Sequence, residues 1–384
     1  VWNMMMSVSG GWFFVVAAEA ITVSGQTILL PGIGSYIATA IDASDLAAIG
    51  WAVLVMLIVI LLYDQLLFRP LLAWSRKFQA DLPAEAEDVR PWFLVALQRA
   101  RIFDLAQAGV LAVNRLADSA IKRLAGPRRP RPERRTYPVL KRGFDLALAV
   151  LALAAAIWFA AFIGERIGLG EIGWVFVLGL VTAARVLVLI VVASLVWVPI
   201  GVAIGLRPRF ADRAQPVVQF LAAFPANLFF PVVVAAILRF RLDPEIWLSP
   251  LMILGTQWYI LFNVIVGTTA LPVELRRAAQ NLGVRRLLWW RRVILPAIFP
   301  AYVTGAVTAA GGSWNASIVA EVVQWGKTTL TATGIGAYIA HTTAAGDSAR
   351  IALGIGVLCL YVLAFNRLLW RRLYDVAAER LRLD

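Results

Sequence analysis

Two glutamates, Glu19 and Glu321, stand in apolar stretches of this chain, each one to two helical turns after a tryptophan, Trp12 or Trp314. An ionisable group in such surroundings is expensive to keep and faces a cavity or a partner more often than lipid. With Ser313, Trp314 and Asn315, these residues suit the lining or gate of a polar path between helices. The other reading stays open, because Gln324, Trp325, Gly326 and Lys327 after Glu321 also suit the interfacial end of a span. A second chemistry lies in a basic segment punctuated by Gly and Pro. It runs Glu274-Leu275-Arg276-Arg277-Ala278-Ala279-Gln280-Asn281-Leu282-Gly283 and continues to Arg291-Arg292-Val293-Ile294-Leu295-Pro296. Pro272 suits a helix start, where its missing N–H costs nothing. Ala278 and Ala279 form a smooth face that another protein can approach, and Gly283 permits a turn that a side chain resists. Arg285, Arg286, Arg291 and Arg292 suit lipid headgroups, at about 1 kcal/mol each near an anionic surface.

The elements that position these residues are long and apolar. Of 384 residues, 61% are hydrophobic and 15% charged, against about 25% charge in soluble domains. Apolar runs cover Phe144–Ile163, Val175–Ile200, Val217–Leu238, Leu248–Thr269, Ala297–Val323 and Ile351–Trp370, with a further span at Ile49–Phe68 and an apolar stretch at Val1–Val23. Each is close to the roughly 20 residues that cross about 30 Å of hydrocarbon. The formal charge of +13 does not point to nucleic acid, because the basic residues fall between spans. A positive-inside topology explains both features. It puts the arginines before the Phe144 span, those at 207–213, the 272–295 segment and Arg371/Arg372 in the cytoplasm, so both ends of the last six spans are cytoplasmic. Arg239 and Arg241 fall on the outside and are partly offset by Asp243 and Glu245. Gln257, Asn263 and Thr256 read as polar glue between spans, and Asn227, between Pro225 and Pro231, marks a broken span. The single Cys359 excludes an internal disulfide, His341 stands alone, and nothing matches the phosphate-binding pattern Gly-x-x-x-x-Gly-Lys-[Ser/Thr].

An internal repeat organises the chain. Residues 1–78 align with 303–380 at a constant offset of 302, pairing Pro31-Gly32-Ile33-Gly34-Ser35-Tyr36-Ile37-Ala38 with Thr333-Gly334-Ile335-Gly336-Ala337-Tyr338-Ile339-Ala340, and Trp12 and Glu19 with Trp314 and Glu321. This predicts residues 1–74 as the last two spans of a first unit and 144–384 as a complete six-span second unit. Between them, 75–143 reads as a cytoplasmic linker with an amphipathic helix, Trp92–Leu124, and an Arg/Pro-rich stretch. Because Val1 aligns inside a span, the sequence reads as part of a longer protein whose first unit is cut.

The basic segment is similar to the coupling motif of the permeases of binding-protein-dependent ABC importers: Glu-Ala-Ala, three residues, Gly, nine residues, then Ile, one residue, Leu-Pro. Here Arg277-Ala278-Ala279 stands at the Glu-Ala-Ala position, with Glu274 one turn earlier, Gly283 at the Gly and Val293-Ile294-Leu295-Pro296 at the end. Residues 311–321, and their repeat at 10–19, resemble the nitrate/sulfonate/taurine branch. The resemblance implies an all-α integral membrane bundle with six transmembrane helices per unit, in the inner membrane of a bacterium. It implies ATPase-coupling roles for Glu274, Arg277, Ala278, Ala279, Gly283 and Pro296. It also implies two cytoplasmic ATP-binding subunits that carry ATP and Mg, an extracytoplasmic solute-binding protein, a small anionic solute, and no cofactor on this chain. An ion-coupled secondary transporter is the rival reading, and it favours inverted repeats where this one is parallel. A non-transport scaffold is the third.

Overall fold

The computed structural model describes residues 11–24, 26–68 and 138–380. Most of the linker expected over 75–143, including the amphipathic segment, lies outside the described residues. Contacts divide the chain into two compact units, one formed by residues 2–61 with 163–384 and the other by residue 1 with 62–162. The described part of the smaller unit contains the wide helical turn Asp64–Phe68 and most of helix α4, Pro138–Gly164, where Trp158 stacks on Phe162.

The larger unit opens with helical residues 11–18 (α1), the hairpin β1 (Ala20–Val23) and β2 (Gln26–Leu29), α2 (Ile33–Asp42) and α3 (Leu46–Tyr63). It resumes with α5 (Leu169–Gly205), α6 (Pro208–Ala223) and α7 (Phe230–Phe240), then α8 (Pro244–Trp247) and α9 (Gln257–Thr269). The basic segment follows as α10 (Val273–Asn281) and α11 (Arg286–Trp289). The chain closes with α12 (Leu295–Ala320), the hairpin β3 (Val322–Trp325) and β4 (Thr328–Thr331), α13 (Ile335–Ala345), α14 (Ser348–Phe365) and α15 (Arg371–Arg380). Among the described residues, five helices are long and apolar enough to cross a membrane, or seven if each of two bent pairs counts as one span. The protein is an all-α, multi-pass membrane bundle.

The bent pairs refine the sequence expectation at Val217–Leu238 and Leu248–Thr269. The first bends by 74° between α6 and α7. Pro225 forces Phe224 into an extended conformation and ends α6. The second bends by 45° at the irregular residues before Gln257. Two boundaries also move. The helix leading into α12 begins at Arg286 rather than at Ala297, passing Pro296 just after the wide turn Trp290–Ile294. It ends at Ala320 rather than Val323, because Val322 and Val323 enter a strand. Val-Val-Gln-Trp before Gly326-Lys327 carries the β-branched run and turn glycine of a hairpin.

The core of this unit is α9, packed on α5 and α12. Gly201 and Gly205, one turn apart on α5, let its backbone close on Val264, Ile265 and Thr268 of α9. Small residues at that spacing supply the van der Waals contact that holds helices together in lipid.

The repeat is visible element by element. The pairs β1/β3, β2/β4, α2/α13, α3/α14 and the wide turns Asp64–Phe68/Asn366–Trp370 each begin 302 residues apart. Even the unusual backbone conformations coincide: Ser24 (φ 52°) with Gly326 (φ 56°), and Ser44 (φ 56°) with Gly346 (φ 72°).

Candidate functional site

The two repeats meet reciprocally. The tip of the second hairpin reaches the end of α2, where Gly326 N–H donates to Ile41 O at 2.9 Å and Gln324 Nε2 to Asp42 Oδ1 at 3.3 Å. Gly326 lies against the Ser44 hydroxyl, and in the mirror-image contact Ser24 lies against Gly346 at the end of α13. Swapping the repeats exchanges each pair for the other, so a local pseudo-twofold axis runs between the hairpins.

The lining of a cavity of about 510 Å³ includes two pairs of matching positions from the repeats: Phe13 and Phe14 from α1, and their equivalents Asn315 and Ala316 from α12. Thr256, Asn263, Thr304 and Thr308 add polar groups to an otherwise apolar and aromatic wall. Thr304 and Thr308 donate to carbonyls one turn back on α12. Asn263 Nδ2 donates to Tyr259 O at 2.8 Å. Asn315 is exposed, and its amide is the clearest donor facing the space. Asn227 at the α6–α7 break donates to Phe13 O at 3.2 Å and ties α1 to that break.

The other residues of the expected path are placed differently. Ser313 is buried, its hydroxyl donating to Ala309 O at 2.9 Å and lying 3.2 Å from Thr256 Oγ1. Trp314 is buried with its ring edge-on to Phe365. Trp12 packs on the cluster of Val16, Ile37, Met56 and Leu228.

Glu321, 1% exposed, is held from every side. Its Oε1 accepts from Thr182 Oγ1 at 2.8 Å and Arg185 Nη1 at 3.0 Å, while Oε2 accepts from Ala337 N–H at 3.1 Å. The carboxylate thus caps the N-terminus of α13 across the hairpin, and a helix N-terminus favours a negative charge. A Cβ at Gly334 would overlap this carboxylate, so the position requires glycine. Thr182 Oγ1 also accepts from Ile335 N–H at 3.0 Å. Arg185 extends its other arm to Glu245 Oε2 at 3.0 Å, and Glu245 Oε1 accepts from the N–H and hydroxyl of Thr333. In the first repeat Gly34 N–H donates to Glu19 Oε2, and Gly32 lies against the same carboxylate.

Thr182, Arg185, Glu245 and Thr333 were not singled out from the sequence, although a signal existed. Arg185 is the one charged residue within Val175–Ile200, and a lone cation in an apolar span points to a buried partner. A second cluster lies at the N-termini of α5 and α14. Arg350 pairs with Glu171 at 2.6 Å and Asp347 at 2.6 Å, and Tyr338 donates to Glu171. Asp347 caps α14 through Ala349 N–H and Arg350 N–H. That backbone contact, with the Arg350 guanidinium, holds its carboxyl below the usual carboxylate range.

The basic segment occupies the opposite end of α12 from the hairpins. Its 26 residues rise about 39 Å at 1.5 Å each. Glu274, Arg277 and Ala278 are exposed, whereas Ala279 is buried against the bundle. Gly283 N–H bonds to Gln280 O and Val284 N–H to Ala279 O, with Gly283 at φ 68°. This is the Schellman stop that a left-handed glycine makes possible. Pro296 is half-buried, the second residue of α12. Among the described residues, no group of three or more His, Cys, Asp or Glu is placed to hold a metal.

Residues 197–375 match the family described as binding-protein-dependent transport system inner membrane component. The chain is 29% identical over 184 residues to the nitrate import permease protein NrtB of Leptolyngbya laminosa, covering 48% of this chain and 62% of that one. It is 27% identical to the bicarbonate transport system permease protein CmpB of Synechococcus elongatus, covering 35% and 47%. It is 27% identical to the taurine transport system permease protein TauC of Escherichia coli, covering 36% and 49%. The chain therefore spans between about half and three-fifths of the length of these relatives.

Proposed function

Because residues 197–375 match the family of inner membrane components of binding-protein-dependent transport systems, we propose that this protein belongs to it and forms the solute path of an ATP-driven importer. The observation that carries the proposal is the cavity to which both repeats contribute, Phe13 and Phe14 from one and Asn315 and Ala316 from the other, with an exposed basic helix at the far end of α12. Two equivalent units facing one axis give a path that opens to either side when they rock against each other, as parallel repeats do.

In this reading the complete unit covers 144–384 and crosses the membrane six times, each bent pair counting once, with both its ends in the cytoplasm. Residues 1–74 are the end of a first unit, joined to it by a linker over 75–143. The arginines of α10 and α11 support a position for the basic segment on the cytoplasmic side of the bacterial inner membrane. There α10 docks into one of two ATP-binding subunits, which hold the ATP and Mg. Glu274, Arg277 and Ala278 face the docking partner. Ala279, Gly283 and Pro296 fix the angle at which the helix is presented. The paired hairpins face outward, toward a solute-binding protein. Three relatives carry nitrate, bicarbonate and taurine in their names. A small anion suits a cavity with no Asp or Glu among the described residues of its wall and with the Asn315 amide on offer.

The test is affinity purification of the full-length protein in mild detergent, with ATPase activity measured for wild type, Ala278→Arg and Gly283→Trp. A co-purifying ATPase is expected, lost in both variants while the protein stays folded. A folded membrane protein that brings down no ATPase overturns the reading.

A further inference from the structure

The repeats match in backbone but not in what covers them. In the second repeat Ala332, Leu353 and Val357 are 1%, 4% and 2% exposed. They lie behind α5 and α8, where Val357 and Tyr361 meet Gly179 and β4 lies along α8. The equivalent residues of the first repeat, Leu30, Trp51 and Val55, are 54%, 64% and 50% exposed. The glutamates show the same contrast. Glu321 has Thr182 and Arg185 from α5, whereas among the described residues Glu19 has the Gly34 N–H on its carboxylate and no cation. A single kind of element, absent beside the first repeat, accounts for both differences.

We propose that Glu19, the β1–β2 hairpin and the Trp51/Val55 face of α3 form a docking surface for a second helix layer of the α5–α8 type. This layer is a long apolar helix carrying Thr-x-x-Arg, as Thr182-Ala183-Ala184-Arg185 does here. Charge complementarity selects the occupant. Glu19 is half-buried as it stands. A helix packed over it closes the carboxylate in, and a closed-in carboxylate is stable only with a cation and donors on it, which lipid tails do not offer. A second copy of this chain does not fit, because its own α5 already holds its own Glu321. The occupant is therefore the first four spans of another permease unit, and the proposal deepens the two-unit reading above and rests on it.

The experiment places a photo-activated benzophenone amino acid at Leu30 or Trp51 of the full-length protein in its native membrane, with adducts identified by mass spectrometry. Adducts are expected on an apolar helix containing Thr-x-x-Arg outside residues 163–384. Glu19→Arg is expected to cut their yield by roughly tenfold or more, as loss of a buried ion pair requires. Reversing the partner's Arg to Glu is expected to restore it. Adducts confined to lipid or to residues 69–137 overturn the proposal, as does failure of the reversal to rescue. Because the readout is a cross-link, it stands or falls independently of ATPase co-purification.

Discussion

The sharpest test of the site's physics is the Arg185–Glu321 pair. Arg185→Met leaves a carboxylate that is 1% exposed with Thr182 and backbone N–H groups but no cation. Stranding a buried charge in this way costs about 3–5 kcal/mol. The second arm of Arg185 contributes little, because Glu245 is 45% exposed and pairs open to solvent give about 0–1 kcal/mol. Glu321→Met removes the acceptor from Thr182 Oγ1 and Ala337 N–H, at about 1–3 kcal/mol for each donor left unpaired. In the double variant no charge is stranded at Glu321, so its cost falls below the sum of the singles by about 2–3 kcal/mol, the upper range for residues in contact. The assay is a double-mutant cycle on unfolding in mixed detergent micelles titrated with SDS, followed by tryptophan fluorescence. Single costs that add to within about 0.5 kcal/mol would refute the reasoning, since a pair at 3.0 Å in a closed site has to couple.

Three further outcomes follow from the same geometry. Gly334→Ala drives a methyl into the Glu321 carboxylate and is expected to cost about 1–3 kcal/mol by the same titration, whereas Gly173→Ala, which meets open space inside helix α5, leaves the midpoint no lower and adds up to about 1 kcal/mol through helix propensity. Asp347→Ala removes the cap of α14 and lowers the thermal midpoint, while Asp347→Asn retains most of it. The charged cap contributes fully above the unfolded-state pKa near 3.9 and is lost as pH falls through its lower folded value, so the Ala penalty shrinks only in strong acid. Asn315→Leu takes the amide out of the cavity and is expected to lower solute uptake by roughly 10- to 100-fold, the loss of one hydrogen bond to a charged group, with ATPase assembly intact.

The sequence alone determined the spans, the repeat and the basic segment. Each is a local or periodic property: apolar length, a constant offset of 302 residues, and a helix stopped at Gly283. Even the conformation at Gly283 was legible, because only glycine closes that helix without strain at positive φ. What the sequence left open was the role of Glu19 and Glu321. Pore lining and span end were equally consistent with their neighbours, since neither depends on chain position. Only the tertiary structure brought Arg185 and Thr182 onto Glu321 from 136 and 139 residues away. It likewise put Asn315 beside Phe13 in one cavity while sealing Ser313 and Trp314 behind it. The two hairpins were missed for a different reason: the valines of Val322–Trp325 run on without a break from the apolar helix before them, which masks the local strand-and-turn signal. Buried charge finds its partner through space, and that distance is set by packing rather than by order along the chain.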